Sequence, residues 1–157
     1  MTNLPVSDLA AAVEKLGWYA LRWKAEVFHK VMKSGCRAEE ARLQTAERLV
    51  KFLALVAVVS WRTFFVTMSA RATPHAAPDT VLTRAEIATL DQIDASRSKS
   101  RLQQRTLAAY LLQIAMLGGY LARNHDPPPG TVVVWRGMTR LHDIAFGIAI
   151  GSVRRCG

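Results

Sequence analysis

Tyr19, Arg22, Glu26 and Lys33 stand three, four and seven residues apart. They sit in Tyr19-Ala-Leu-Arg22-Trp23-Lys24-Ala-Glu26-Val-Phe28-His29-Lys30-Val-Met-Lys33. At ~100° per residue on an α-helix, the four fall within an arc of roughly 60°. Trp18, Leu21, Ala25, Phe28 and Met32 fall on the other side as an apolar stripe. One face thus presents a phenol, a guanidinium, a carboxylate and an ammonium in one line. That set suits a carboxylate holding a metal ion beside cations holding phosphates. The plainer alternative makes Glu26 an i,i+4 partner of Arg22 or Lys30 on a solvated helix face.

The elements that must position this line are helical. Asp8 to Leu16 reads as a short helix with Ser7 or Asp8 as N-cap, and Gly17 as a break before a signature helix over about 18–33. Ser34-Gly35 ends that helix, and Arg37 to Gln44 is irregular. Thr45 caps a long helix to about Ala70. The run Phe52–Val59 is too short to span a bilayer and reads as buried helix. Thr73 to Asp79 is a loop, and Thr83-x-x-Glu86 is a capping box that starts a helix to about Asp94. Ser96 to Arg101 reads as a linker or loose basic patch, followed by a helix from about Leu102 to Arg123. Three consecutive prolines exclude helix from Asn124 to Gly130. Thr131–Trp135 is the one strand-like run, and Gly137 reads as a tight turn anchored by Trp135. A last helix runs from Met138 to about Ile150, with Leu141, Ile144, Ala145 and Ile148 as a stripe for the core or for another subunit.

Composition narrows the class. A chain of 157 residues, half of them hydrophobic, is large enough for a globular domain with a real core. The formal net charge of +9 raises nucleic acid as a partner, although basic proteins without a polyanionic partner share it. Cys36 and Cys156 make no metal-ligand pattern, and two reduced thiols point to a cytoplasmic setting. The start lacks a signal peptide, and no membrane partner is expected.

The tyrosine–arginine–glutamate–lysine spacing resembles the signature of bacterial insertion-sequence DDE transposases of the Tn-five type. Arg22-Trp23-Lys24-Ala25-Glu26-Val27-Phe28-His29-Lys30 is similar to that family's Arg-Trp-Arg-Ile-Glu-Glu-Phe-His-Lys run. Lys33-Ser34-Gly35-Cys36-Arg37, Leu43-Gln-Thr45-Ala-Glu47-Arg48-Leu49 and Trp135-Arg136-Gly137-Met138-Thr-Arg140-Leu141-His142-Asp143 also look like family segments. The likeness covers most of residues 3–146. Val27 stands where the family usually has a second Glu, and residues 94–105 are unlike the family stretch.

The resemblance implies a mainly α fold: a helical bundle formed by the last catalytic-domain helix and a carboxy-terminal dimerisation region. It makes residues 1–44 the end of an RNase-H-like domain without its sheet, and 45–157 the helical dimerisation region. The chain is then expected to open inside the catalytic domain. Glu26 becomes the catalytic acid and metal ligand. Tyr19, Arg22, Trp23, Lys24, Lys30 and Lys33 become contacts to transposon-end DNA. Packing or a plain cationic surface remains the alternative for Trp23 and the lysines. Two-metal hydrolysis needs further carboxylates, which the family supplies upstream on strands. Upstream of Glu26 stand only Asp8 and Glu14, and Asp8 lies at a helix start. Mg²⁺ is therefore expected only within a complete transposase, and none for this chain alone.

Two classes of function follow. One is the carboxy-terminal portion of a transposase, gripping DNA ends and dimerising but catalytically incomplete. The other is an interaction protein that forms mixed dimers with full-length transposase and inhibits it. A non-functional remnant is a third reading.

Overall fold

Four capping side chains set the helix starts. Asp8 accepts the Ala11 N–H at 2.7 Å, Thr45 the Arg48 N–H at 3.3 Å, and Thr106 the Ala109 N–H at 3.4 Å. Thr83 and Glu86 form a reciprocal capping box: Glu86 N–H to Thr83 Oγ1 at 3.3 Å, and Thr83 N–H to Glu86 Oε2 at 2.7 Å. Each satisfies a backbone N–H that the first helical turn leaves unpaired.

The computed structural model describes residues 4–96 and 104–153, the last two by backbone alone. Its helices are α1 (Leu9–Ala20), α2 (Arg22–Lys30), α3 (Ala46–Ala72), α4 (Arg84–Ala95), α5 (Leu107–Leu117) and α6 (Thr131–Val153). A π-helical turn covers Val31–Gly35, and short 3-10 turns cover Ala38–Glu40 and Pro78–Thr80. No strand occurs among the described residues, so the fold is a mainly α bundle without a sheet.

The core lies where the second half of α3, α4, α5 and the first half of α6 meet. Val66, Leu90, Leu107, Tyr110, Ile114, Ala115, Val134 and Leu141 are its fully buried members. The buried hydroxyls of α3 cost little because they bond within the helix, Thr67 Oγ1 to the Thr63 carbonyl at 2.8 Å. Gly118 and Gly137 let α5 and α6 cross in backbone contact. A Cβ on Gly137 would lie 1.8 Å from the Ile114 carbonyl oxygen, and one on Gly118 2.0 Å from that of Val133.

Several expectations are corrected. Thr131–Trp135 is helix, not strand: Thr131, Val134, Met138 and Leu141 are all buried, and their spacing is helical. Gly137 accordingly sits inside α6 as a contact glycine rather than at a turn. The break near the signature falls at Leu21, and Gly17 is an ordinary member of α1. α5 stops at Leu117, where Gly118 and Gly119 follow, and not at Arg123; Gly119 has φ 99°, which glycine adopts freely. The run Phe52–Val59 is mostly open rather than buried: Val56 is covered, while Leu55 is 69% and Val58 66% exposed. By length and composition alone α3 is long and apolar enough to cross a membrane, with mean hydropathy 1.9 over its most apolar window. The core helices of soluble proteins meet the same test. The basic stretch after Ser96, the expected helix start at Leu102, and Cys156 lie outside the described residues.

Candidate functional site

The signature residues occupy a two-helix arm. α1 ends where the Leu21 N–H is shared between the carbonyls of Gly17 (3.2 Å) and Trp18 (3.1 Å). α2 starts at the next residue, so the four residues do not share one helix. Tyr19 lies in the last turn of α1, Arg22 and Glu26 lie on α2, and Lys33 lies in the π-helical turn. That turn is wide, with the Cys36 N–H reaching back to the Val31 carbonyl at 3.2 Å. The extra residue per turn rotates Lys33 away from the register that a continuous α-helix gives.

Contacts within the arm bring three of the four together. Arg22 Nη1 donates to Glu26 Oε1 in a close ion pair. The Arg22 guanidinium carbon lies 5.2 Å from the Tyr19 ring centroid, a cation–π contact. Lys33 turns elsewhere, and its Nζ pairs with Glu39 Oε1 at 2.7 Å. All of these groups are exposed, so the pairs add little to stability and leave the cations open to a polyanion. Trp23 and Lys30 are exposed beside them. Lys24 lines an open groove with Ala25, Phe28, Trp61 and Phe64. His29 meets the Phe28 ring edge-on at 5.5 Å.

The arm is anchored at its far end. Val31 and Gly35 are buried, and a Cβ on Gly35 would lie 3.2 Å from the Trp135 ring of α6. The expected apolar stripe is only half covered: Phe28 and Met32 are partly buried, while Trp18 is 51% and Leu21 51% exposed.

Glu26 therefore has Arg22 as its neighbour. Among the described residues no three His, Cys, Asp or Glu side chains converge as a metal group requires. What Glu26 can do in this arrangement is hold Arg22 beside the Tyr19 ring.

A second polar cluster was not singled out by sequence reasoning. Glu86, at the third position of α4, is only 4% exposed. Its Oε2 accepts from Arg62 Nη2 of α3 at 2.8 Å and from the Thr83 N–H, and its Oε1 meets His142 Nε2 of α6 at 3.1 Å. Burial alone pushes the Glu86 carboxyl up. The His142 bond, the Thr83 backbone N–H and the Arg62 charge outweigh it and bring it down to about 2. The same Glu86 hydrogen bond raises His142 above its ordinary 6.5. One carboxylate thus joins three helices. The capping box announced Glu86 in the sequence, but its partners lie 24 and 56 residues away.

No protein-family model matches the chain, so the transposase likeness rests on the residues quoted above.

Proposed function

We propose that this chain is the carboxy-terminal portion of a DDE-type DNA transposase, acting through transposon-end binding and dimerisation and catalytically incomplete by itself. The observation that carries the reading is the solvent-facing Tyr19–Arg22–Glu26 contact set on an arm that also exposes Trp23, Lys24, Lys30 and Lys33. A guanidinium held by a carboxylate and an aromatic ring is preorganised for a phosphate oxygen. The net charge of +9 favours the same partner. In this reading Mg²⁺ acts only in a complete transposase, where Glu26 joins carboxylates from other segments.

Binding of a labelled DNA duplex, followed by fluorescence anisotropy across a salt series, tests the proposal. Arg22→Ala with Lys33→Ala should weaken binding on any sequence, and each lost phosphate contact should lower the log–log salt slope by about 0.9. Glu26→Gln should tighten binding, because it removes a negative charge beside the phosphates while the amide oxygen can still hold Arg22. Full affinity in the double variant would place the contact elsewhere and defeat the reading. Incubation with plasmid and Mg²⁺ should give no nicking, and nicking abolished by Glu26→Ala would overturn the claim of incompleteness.

The mixed-dimer inhibitor reading draws on a different observation. Leu9, Val13 and Leu16 on α1 and Phe146 and Ile150 on α6 are apolar and open to solvent, which favours a protein partner. Its discriminating test is co-purification with a complete transposase followed by a transposition assay.

A further inference from the structure

Between α3 and the first half of α6 lies a cavity of about 270 Å³. Its walls are Val58, Val59 and Trp61 from α3 with Trp135 and Met138 from α6. Two threonines also line it, but their hydroxyls are engaged within their own helices, Thr63 to the Val59 carbonyl at 3.2 Å and Thr139 to the Trp135 carbonyl at 3.1 Å. The lining therefore keeps one charged region, made by Arg62 and His142.

Those two side chains are close together because both bind Glu86, at 2.8 and 3.1 Å. Glu86 is committed on both oxygens, with the Thr83 N–H as its third donor. Arg62 also donates through Nη1 to the Val81 carbonyl at 2.6 Å. Nδ1 of His142 has no hydrogen-bond partner among the described residues. With His142 protonated, two cations flank Glu86 beside an apolar slot, and the neighbouring Asp143 carboxylate also acts on His142.

We propose that this cavity is a binding site for a small aromatic carboxylate. Two indoles and a thioether favour a planar ring over an aliphatic chain. The volume sits just below the range of drug-sized pockets, which limits the body to one or two rings. The cationic donors of His142 and Arg62 select an anionic group, and a buried counter-carboxylate holds both in place before the ligand arrives. None of the arm residues given to DNA takes part, so the two proposals stand or fall separately.

Isothermal titration of the full chain with indole-3-acetate and with indole-3-acetamide tests the site. The expected result is one site per chain, with the acetate about tenfold tighter than the amide. Thr139→Phe places a ring at the lining from an exposed position, so the fold is retained, and binding of both probes should be lost. His142→Ala should bring the acetate down to the amide. No binding of either probe at millimolar concentration overturns the proposal, as does unchanged binding in Thr139→Phe. Equal affinity for the two probes also overturns it, and would mark the slot as a hole for an uncharged protein side chain.

Discussion

Glu86→Gln removes a charge while keeping the size of the side chain, and its cost can be worked from the structure. The folded carboxyl lies at about 2 against an ordinary 4.5. At about 1.4 kcal/mol per pH unit, that depression corresponds to about 3 kcal/mol of folding free energy held by the ionised form. The side chain is 5% exposed, so solvent screening takes little from this figure. A depressed carboxyl stabilises the fold fully above its unfolded value and loses that contribution as pH falls through its folded value. The window therefore runs from 4.5 down to about 2. Urea unfolding followed by circular dichroism at pH 6 should show the variant about 3 kcal/mol less stable. As pH drops through the window the gap should close, because a protonated glutamate and the glutamine that replaces it are near-isosteres. A gap below about 0.5 kcal/mol at pH 6, or one that stays constant through the window, would refute the view that this carboxylate is the electrostatic tie between α3, α4 and α6.

Three further outcomes follow from other features. Gly137→Ala forces α5 and α6 apart at the 1.8 Å approach and should cost about 2–3 kcal/mol in urea unfolding; Gly147→Ala, with open space around it, should cost none of that. His142→Ala should lose about 1 kcal/mol or less, since the side chain is 58% exposed. Because His142 is raised above 6.5 in the fold, the wild-type advantage should be full below 6.5 and fade as pH climbs through the higher folded value. Light scattering after size exclusion should show self-association at tens of micromolar, since Phe146 is 69% and Ile150 46% exposed on one end of α6. A strict monomer would remove the dimer from the proposed function, and a dimer unaffected by Phe146→Glu would move the interface to another face.

Three helix starts, those of α1, α3 and α4, were readable because their caps are local. Asp8, Thr45 and Thr83 each act on a backbone N–H three residues on, and no tertiary knowledge is needed to place them. The readings that failed depended on what lies across the bundle. Four β-branched residues from Thr131 to Val134 carry a strand signature by propensity, yet burial of positions 131, 134, 138 and 141 against α5 made them the first turn of a helix. The apolar run in α3 predicted burial by hydropathy, but the elements that cover α3 pack on its second half. At the site, the spacing placed Arg22 and Glu26 one turn apart, where they indeed pair. The kink at Leu21 and the wide turn after Lys30 bend Tyr19 and Lys33 out of that register, and neither carries a proline or another strong local mark. The Glu86 cluster was out of reach, since only the packing of three helices brings positions 62, 86 and 142 together.

The arm of α1 and α2 contributes no residue of its own to the interior; neither helix has a buried side chain, and Val31 and Gly35 are the first covered positions after it. Little apolar area is therefore exposed when the arm detaches, and its opening need not involve the glycine crossing of α5 and α6. The chain should behave as two cooperative units of unequal depth. Amides of α1 and α2 should exchange with solvent through a shallow sub-global opening, while those around Ile114 and Val134 wait for complete unfolding. Whatever docks on the arm can thus order it without remodelling the bundle that carries it.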